Sequence, residues 1–263
     1  MSGTHDRRRA AMAELERALA SRHHAFVLHY IGATFASAER RVTAVAARNM
    51  GTGVTHCFEV EAELRGAAID PMAASAEQLD KAERRLLDAF YAFARAHPNH
   101  FWLHWNMRNS VFGFLGLENR YRELGGYPAA IPDGYRLDLA DRLADIHGDS
   151  YADTANRLRS LADINGIPLP HLVDGQPQGE ALERREFGVG TRSLLNRIDV
   201  MYVVATRTLE GRLKTATTFR DRVATAGGWI KWAKGHPVAV GFAIAAPVIT
   251  VVLGCIKLWV ILG

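Results

Sequence analysis

Four polar residues crowd one short stretch in the middle of the chain. His104, Asn106, Arg108 and Asn109 lie in the segment FWLHWNMRN, after a short apolar run. Asn and Arg side chains can read a base edge or hold a phosphate, and the carboxyl end of a strand is a common ligand position. We therefore predict that this turn binds a nucleotide or a nucleic acid. The alternative interpretation is an ordinary polar loop between core tryptophans.

Other polar groups are more scattered. His100 and His104 have the i, i+4 spacing of a helical metal pair, but they fall on a predicted strand with no acid between them. We predict no metal site and no catalytic residue. Glu118, Arg120 and Arg122, on a predicted helix, are interpreted as a solvated face. A basic run that could hold lipid phosphates or an anionic ligand consists of Arg184, Arg185, Arg192 and Arg197.

The pattern of apolar residues predicts the elements that position these groups. An apolar run after a first helix is typical of a buried strand, and a glycine turn joins two further strands. Ser75 and Gln78 form the capping box of a later helix. Antiparallel strands, followed by a strand after a crossover helix, indicate an α/β domain with a mixed sheet and flanking helices, with α+β as the alternative. In chain order we predict helix 8–22, strands 25–35, 41–50 and 54–64, helix 75–96, strand 101–105, helices 111–124, 137–147 and 157–165, a loop over 167–180, and helical structure over 183–217.

This order resembles the DEDD-type 3′–5′ exonucleases, which have a ribonuclease-H-like fold. The similarity covers roughly residues 25–205. LHYIGATF stands where that family has its first acidic strand, and HWNMRNSVFGFLGLENRYRELGG resembles its second motif and the helix that follows. YRLDLADRLADI, RLRSLADINGIPL and TRSLLNRIDV resemble the later motifs in the same order.

The departures from the family pattern concern its catalytic acids. Members of the family use four carboxylates to hold two divalent metal ions. The first strand here has Gly32, Ala33 and Thr34 in place of acids, Gly113 replaces the second, and Thr191 or Arg192 occupies the position of the final histidine. The resemblance therefore implies a non-catalytic relative that binds its ligand without cutting it and needs no cofactor. Thr34 and Arg192 join the predicted ligand-binding residues.

Two other interpretations stay open. In one, the motifs align differently and Glu59, Glu61 and Asp138 form a displaced acidic site, which would make the protein an active exonuclease dependent on Mg²⁺ or Mn²⁺. In the other, the domain is an anchored scaffold whose turn residues bind a partner protein.

A run of twenty residues without charge begins at Pro237. About 20 apolar residues cross a hydrocarbon core of about 30 Å, so this run predicts a single transmembrane helix. Lys257 lies near its far end, where a long side chain can reach the headgroups. Gly241 and Ala245 are four residues apart, a spacing that lets helices approach closely and favours a homo-oligomer, and Pro247 should kink the helix.

Charge predicts the orientation of that helix. Basic residues outnumber acidic ones between residues 207 and 236, which favours anionic lipids and places the N-terminal domain in the cytoplasm, at the inner (plasma) membrane. Cys57 and Cys255 cannot form a disulfide framework, which suits a reducing compartment. The layout favours a membrane-associated sensor or effector, for instance in bacterial antiviral defence. The predicted divisions are an N-terminal helix (1–24), the α/β domain (25–205), a basic linker (206–236) and the membrane span (237–263).

Overall fold

A ten-residue strand, β1 (Ala25–Thr34), lies at the centre of a mixed five-stranded sheet. The computed structural model describes residues 2–34, 40–108 and 112–217. β2 (Arg40–Asn49) is antiparallel to β1, and β3 (Thr55–Glu59) is antiparallel to β2. On the other side of β1, β4 (Phe101–His104) and β5 (Arg136–Asp138) continue the sheet as parallel strands. The strand order is therefore β3-β2-β1-β4-β5, and the predicted α/β class with a mixed sheet is confirmed.

Helices cover both faces of this sheet. Phe26 of β1 packs against Phe93, with ring centroids 5.2 Å apart, whereas Ile31 lies beside Gly190. Residues an odd number apart on a strand point to opposite faces, so the helices that carry Phe93 and Gly190 lie on opposite sides. The helices are α1 (Ser2–Leu19), α2 (Val60–Gly66), α3 (Ala76–Ala96), α4 (Phe114–Glu123), α5 (Leu139–His147), α6 (Arg157–Ile164), α7 (Gln176–Glu183) and α8 (Phe187–Leu209).

The predicted capping box at the start of α3 is confirmed. The Gln78 amide donates to Ser75 Oγ at 3.2 Å, and the Ser75 amide donates to Gln78 Oε1 at 2.7 Å. The apolar stripe of α3 then buries Leu86, Leu87 and Phe90 against the sheet. This amphipathic helix supplies the crossover that a parallel β1–β4 pair requires.

Two local predictions were wrong, and one strand was not predicted. The predicted strand 54–64 ends at Glu59, and its second half is α2, because Val60 and Leu64 are both buried at helical spacing in a segment rich in helix formers. The predicted loop 167–180 includes the first turn of α7, where a proline is tolerated because a first-turn amide has no intrahelical partner. β5 was not predicted, since three residues carry no periodicity.

The predicted membrane span, with Pro237, Gly241, Ala245, Pro247 and Lys257, lies outside the described residues. Within residues 2–34, 40–108 and 112–217, none of the helices combines the length and the apolar character needed to cross a bilayer.

A buried carboxylate joins β2, α3 and α4. Glu83 is 0% exposed, and its Oε1 accepts from the Val42 amide at 2.7 Å and from Arg120 Nε at 3.0 Å. Its Oε2 accepts from Arg41 Nη1 at 3.1 Å and from Arg120 Nη2 at 2.7 Å. Burial raises the pKa of Glu83, while the two guanidinium groups and the amide oppose that rise. Arg120, which was predicted to lie on a solvated face, is thus part of a buried network.

Removing this carboxylate should destabilise the protein strongly. Glu83→Ala leaves the Val42 amide without this acceptor and removes one of the two acids that pair with the buried Arg41 guanidinium, the other being the partly exposed Asp80. Breaking a buried ion pair costs about 3–5 kcal/mol. The control is Glu77→Ala on the same helix, where the pair with Lys81 is exposed to solvent and contributes little to stability. Urea unfolding of the full chain, followed by tryptophan fluorescence, measures both. Equal losses in the two variants would contradict the assigned role of Glu83.

Candidate functional site

A cavity of about 340 Å³ lies beside the carboxyl ends of β1 and β4. The chain leaves β1 toward β2 and leaves β4 toward β5, in opposite directions along the sheet. In open α/β sheets, ligands bind in the crevice that such a reversal creates. The volume is at the lower end of the range for small-ligand sites, about 300–1,000 Å³. The lining residues of this β1–β4 cavity are His29, Tyr30, Ile31, Gly32, Trp105, Asn106, Phe112, Thr154, Ala155, Asn156, Arg157, Leu158, Gln178 and Arg197.

His29 is the most buried polar group in the cavity wall. It is 5% exposed, and its Nδ1 has no hydrogen-bond partner in the described part of the chain. Burial, together with the nearby charges of Arg197 and His104, lowers the pKa of His29 to about 3. The ring is therefore neutral at pH 7. Since an unsatisfied buried polar group is costly, its nitrogen is available to a ligand.

Asn106 reaches the same cavity from the end of β4. Its φ is +54°, in the left-handed region that asparagine adopts more readily than most residues. Its backbone amide donates to Asp138 Oδ1 at 3.3 Å, and its own Oδ1 accepts from Arg108 Nη2 at 3.0 Å. Backbone strain of this kind is found at ligand-binding turns when surrounding contacts fix it. These contacts fix the side-chain amide in the cavity wall.

The start of α6 adds positive potential. Asn156 caps the helix, and its Oδ1 accepts from the Arg159 amide at 3.2 Å. The amides of Arg157 and Leu158 lie in the first turn and have no acceptor within the helix. The Arg157 guanidinium lies 5.3 Å from the centroid of the Tyr151 ring. A helix N-terminus with an adjacent arginine favours an anion.

One face of α8 forms one side of the cavity, and its side chains form hydrogen bonds with the segment before α7 and with α7 itself. Ser193, Asn196 and Arg197 lie at i, i+3 and i+4, so their side chains share a face of the helix. Asn196 Oδ1 accepts from the His171 amide at 2.8 Å, and Ser193 Oγ accepts from the Val173 amide at 3.0 Å. Arg197 Nη2 donates to Gln178 Oε1 at 3.0 Å and to the Val173 carbonyl at 3.1 Å.

The residues of the turn that was predicted to bind a ligand line two different cavities. Asn106 lines the β1–β4 cavity, but His104 and Arg108 line a second cavity of about 340 Å³. Burial lowers the pKa of His104 to about 4. Arg108 is engaged with acids, its Nε lying 2.9 Å from Asp138 Oδ2 and its Nη1 2.5 Å from Asp141 Oδ2. We call this second site, which Arg136 and Arg142 also line, the β4–β5 cavity.

The other predicted ligand residues have different positions. Thr34 ends β1, where it pairs with Arg40. Asn109 lies outside the described residues. Arg192 is exposed on α8 and does not line the β1–β4 cavity, whereas Arg197, from the same basic run, does.

Sequence reasoning missed His29, Asn156, Arg157 and Gln178 as site residues. The helix-capping position of Asn156, before a helix that was predicted, was the one local signal for any of them.

The alternative acidic site does not assemble. Glu59 ends β3 and Asp138 ends β5, which are the opposite edges of the sheet. Glu61, on α2, pairs with Arg65 at 2.7 Å. Within the described ranges, no group of three or more His, Cys, Asp or Glu side chains is arranged to hold a metal ion.

No family model, curated protein or solved structure matches the chain.

The buried neutral His29 predicts acid sensitivity. Its pKa is about 3 in the folded protein and 6.5 when unperturbed, so between these pH values the unfolded state binds the extra proton. Stability should therefore fall as pH decreases from about 6.5 towards 3, by up to about 1.4 kcal/mol per pH unit for this one group. Urea unfolding between pH 5 and 6.5 should show a shallower dependence for His29→Gln than for the wild type. An unchanged slope would contradict the lowered pKa.

Proposed function

We propose that this domain binds a nucleotide, or the end of a nucleic acid, in the β1–β4 cavity without cleaving it. The observation that carries the proposal is His29, which lies in the wall of a cavity at the strand-order reversal. It is buried and neutral, and its Nδ1 has no partner among the described residues. The remaining walls combine arginines with aromatic rings, which matches a ligand that has an anionic part and a flat part.

The aromatic wall suits a nucleobase. The rings of Tyr30 and Phe112 stack with centroids 4.6 Å apart and an angle of 28° between their planes, and Trp105 lies close by in the same lining. Bases stack on such side chains irrespective of sequence, by about 1–3 kcal/mol per base. The side-chain amides of Asn106 and Gln178 offer donors and acceptors for the edge of a base.

The residues also support binding without cleavage. A pair of divalent ions requires several carboxylates, and the described lining of the β1–β4 cavity contains none. Gly113 stands where the resemblance places the second acid, and its amide donates to the Tyr30 hydroxyl at 3.0 Å. Asp199, near the position of the last acid, pairs with Arg48 at 2.5 Å on β2. The mixed sheet is compatible with a ribonuclease-H-like arrangement, in keeping with a degenerate DEDD-type relative.

The proposal includes a membrane tether and a role as a sensor or effector. The twenty uncharged residues from Pro237 and the basic linker before them support attachment to an anionic membrane, with the domain on the cytoplasmic side. The described chain ends beside α5, because the Ala216 amide donates to the Tyr151 carbonyl at 2.8 Å and Thr217 Oγ1 donates to the His147 carbonyl at 3.1 Å. The last described residues are therefore held to the domain, and self-association of the span would bring several domains together.

Nucleotide binding can be measured by thermal unfolding of the full chain with mononucleotides and short oligonucleotides. A ligand at about 100 times its Kd adds about 2.7 kcal/mol of stability. Arg157→Gln should weaken binding about tenfold or more, because hydrogen bonds to charged groups contribute about 1.5–3 kcal/mol. Asn106→Gly should also weaken binding, and glycine is chosen because it tolerates the positive φ.

The matched control is Arg142→Gln, which removes an arginine from the β4–β5 cavity and should leave nucleotide affinity unchanged. Stabilisation by nucleotides with recovery of intact ligand supports the proposal. If no nucleotide stabilises the chain, the scaffold interpretation becomes the better account. Hydrolysis that depends on Mg²⁺ or Mn²⁺ would contradict binding without cleavage.

The tether is tested separately by flotation with vesicles containing anionic lipids. The full chain should float with the vesicles and stay bound at high salt, because insertion of an apolar helix does not depend on charge. A chain ending at Thr217 should stay in the aqueous fraction. If both forms behave alike, the C-terminal run is not a membrane anchor.

A further inference from the structure

We infer that the carboxylate of Asp174 occupies the seat of the ligand's phosphate, and that a phosphate binds there by displacing it. This inference rests on the proposed function and assigns the anionic part of the ligand to a definite group of side chains. The seat consists of Asn156, Arg159 and Arg197, three donors that now converge on one acid.

The contacts around Asp174 define the seat. Its Oδ2 accepts from Asn156 Nδ2 at 2.9 Å and from Arg159 Nη2 at 3.4 Å, and its Oδ1 accepts from Arg197 Nη2 at 2.5 Å. Asn156 and Arg197 are also lining residues of the β1–β4 cavity, whereas Asp174 is not. A ligand in the cavity therefore meets two of the donors that Asp174 uses.

The charges around the seat are unbalanced. Arg159 and Arg197 have Asp174 as their sole ion-pair partner in the described part of the chain. Two guanidinium groups thus share one carboxylate, which leaves an excess of one positive charge at the seat. A phosphate monoester brings nearly two negative charges and three strong acceptor oxygens, so it matches these donors better than a carboxylate does.

Asp174 is an ionised competitor at neutral pH. Burial acts to raise its pKa, but the hydrogen bond from Asn156 and the charges of Arg197 and Arg159 outweigh this effect and lower the pKa.

Asp174 can also move without unfolding its neighbours. It immediately precedes Gly175, which has a φ of +61°, while Ser193 and Asn196 hold the preceding residues His171 and Val173 to α8. The side chain can turn away at this junction while the segment stays attached.

The test compares the full-length wild type with Asp174→Asn, using AMP, adenosine and inorganic phosphate as probes in calorimetric titrations. Removing the competing charge should tighten AMP and phosphate binding about tenfold and leave adenosine binding unchanged. Glu77→Gln, an exposed acid on α3 at the other face of the sheet from α8, makes the same charge change away from the seat and should have no effect. Unchanged or weaker AMP and phosphate binding to Asp174→Asn would overturn the inference.

Arg159→Gln provides a second test if Asp174→Asn does not fold, because Arg159 lies at the partly exposed rim of the seat. It should weaken AMP and phosphate binding several-fold and spare adenosine. Equal AMP affinity in Arg159→Gln and the wild type would overturn the inference.

The two proposals fail in different ways. Suppose that phosphate binds Asp174→Asn more tightly than the wild type, but adenosine does not bind and AMP binds no more tightly than phosphate. The phosphate seat then stands and the nucleotide function fails. If AMP and adenosine bind the wild type equally and Asp174→Asn changes neither, the nucleotide function stands and the seat is wrong.

Discussion

The strand β1 pairs in opposite senses with its two neighbours, and the rest of the fold depends on that arrangement. A parallel neighbour cannot follow through a tight turn, so the chain must make a long crossover between β1 and β4. Here the crossover includes β2, β3, α2 and α3, and α3 covers one face of the sheet. Because the chain then leaves β1 and β4 in opposite directions, a crevice remains between their carboxyl ends. α6, α7 and α8 cover this crevice without filling it, and the β1–β4 cavity results.

Two buried polar groups on opposite faces of the sheet differ in how far their hydrogen bonds are satisfied. Glu83 accepts four hydrogen bonds, from Arg41 and Val42 of β2 and from Arg120 of α4, so its carboxylate joins three elements. His29 is 5% exposed, its Nδ1 has no partner in the described part of the chain, and burial lowers its pKa so that the ring is neutral. The first group stabilises the sheet against α3 and α4. The second is uncompensated in the described structure and acquires a partner if a ligand enters the cavity. Asp174 is intermediate, since its hydrogen bonds are satisfied by groups that the proposed ligand would also use.

Long periodic segments could be predicted from the sequence because their signals are local. The apolar run of β1, the capping box of α3 and the glycine that follows α6 each depend on a few adjacent residues. α2 was not predicted because a short helix can show the alternation of apolar and polar residues that is typical of a strand. β5 was not predicted because a strand of three residues is too short to show a periodic pattern.

The candidate site was only partly predictable, because it is assembled from positions as distant as His29 and Arg197. The turn after β4 has the polar residue types that predict a ligand site. The backbone at Asn106 is in the left-handed conformation, and Asn106 lines a different cavity from its neighbours His104 and Arg108. Such a division depends on backbone geometry, which residue types alone do not specify.

The most direct measurement is a titration of the full chain, labelled with ¹⁵N at its histidines, with AMP. If the β1–β4 cavity binds nucleotides, the ring nitrogens of His29 shift saturably, those of His104 in the other cavity do not follow them, and AMP is recovered intact. If His29 stays unchanged at AMP concentrations that stabilise the protein, the nucleotide binds elsewhere and the account of this cavity is wrong.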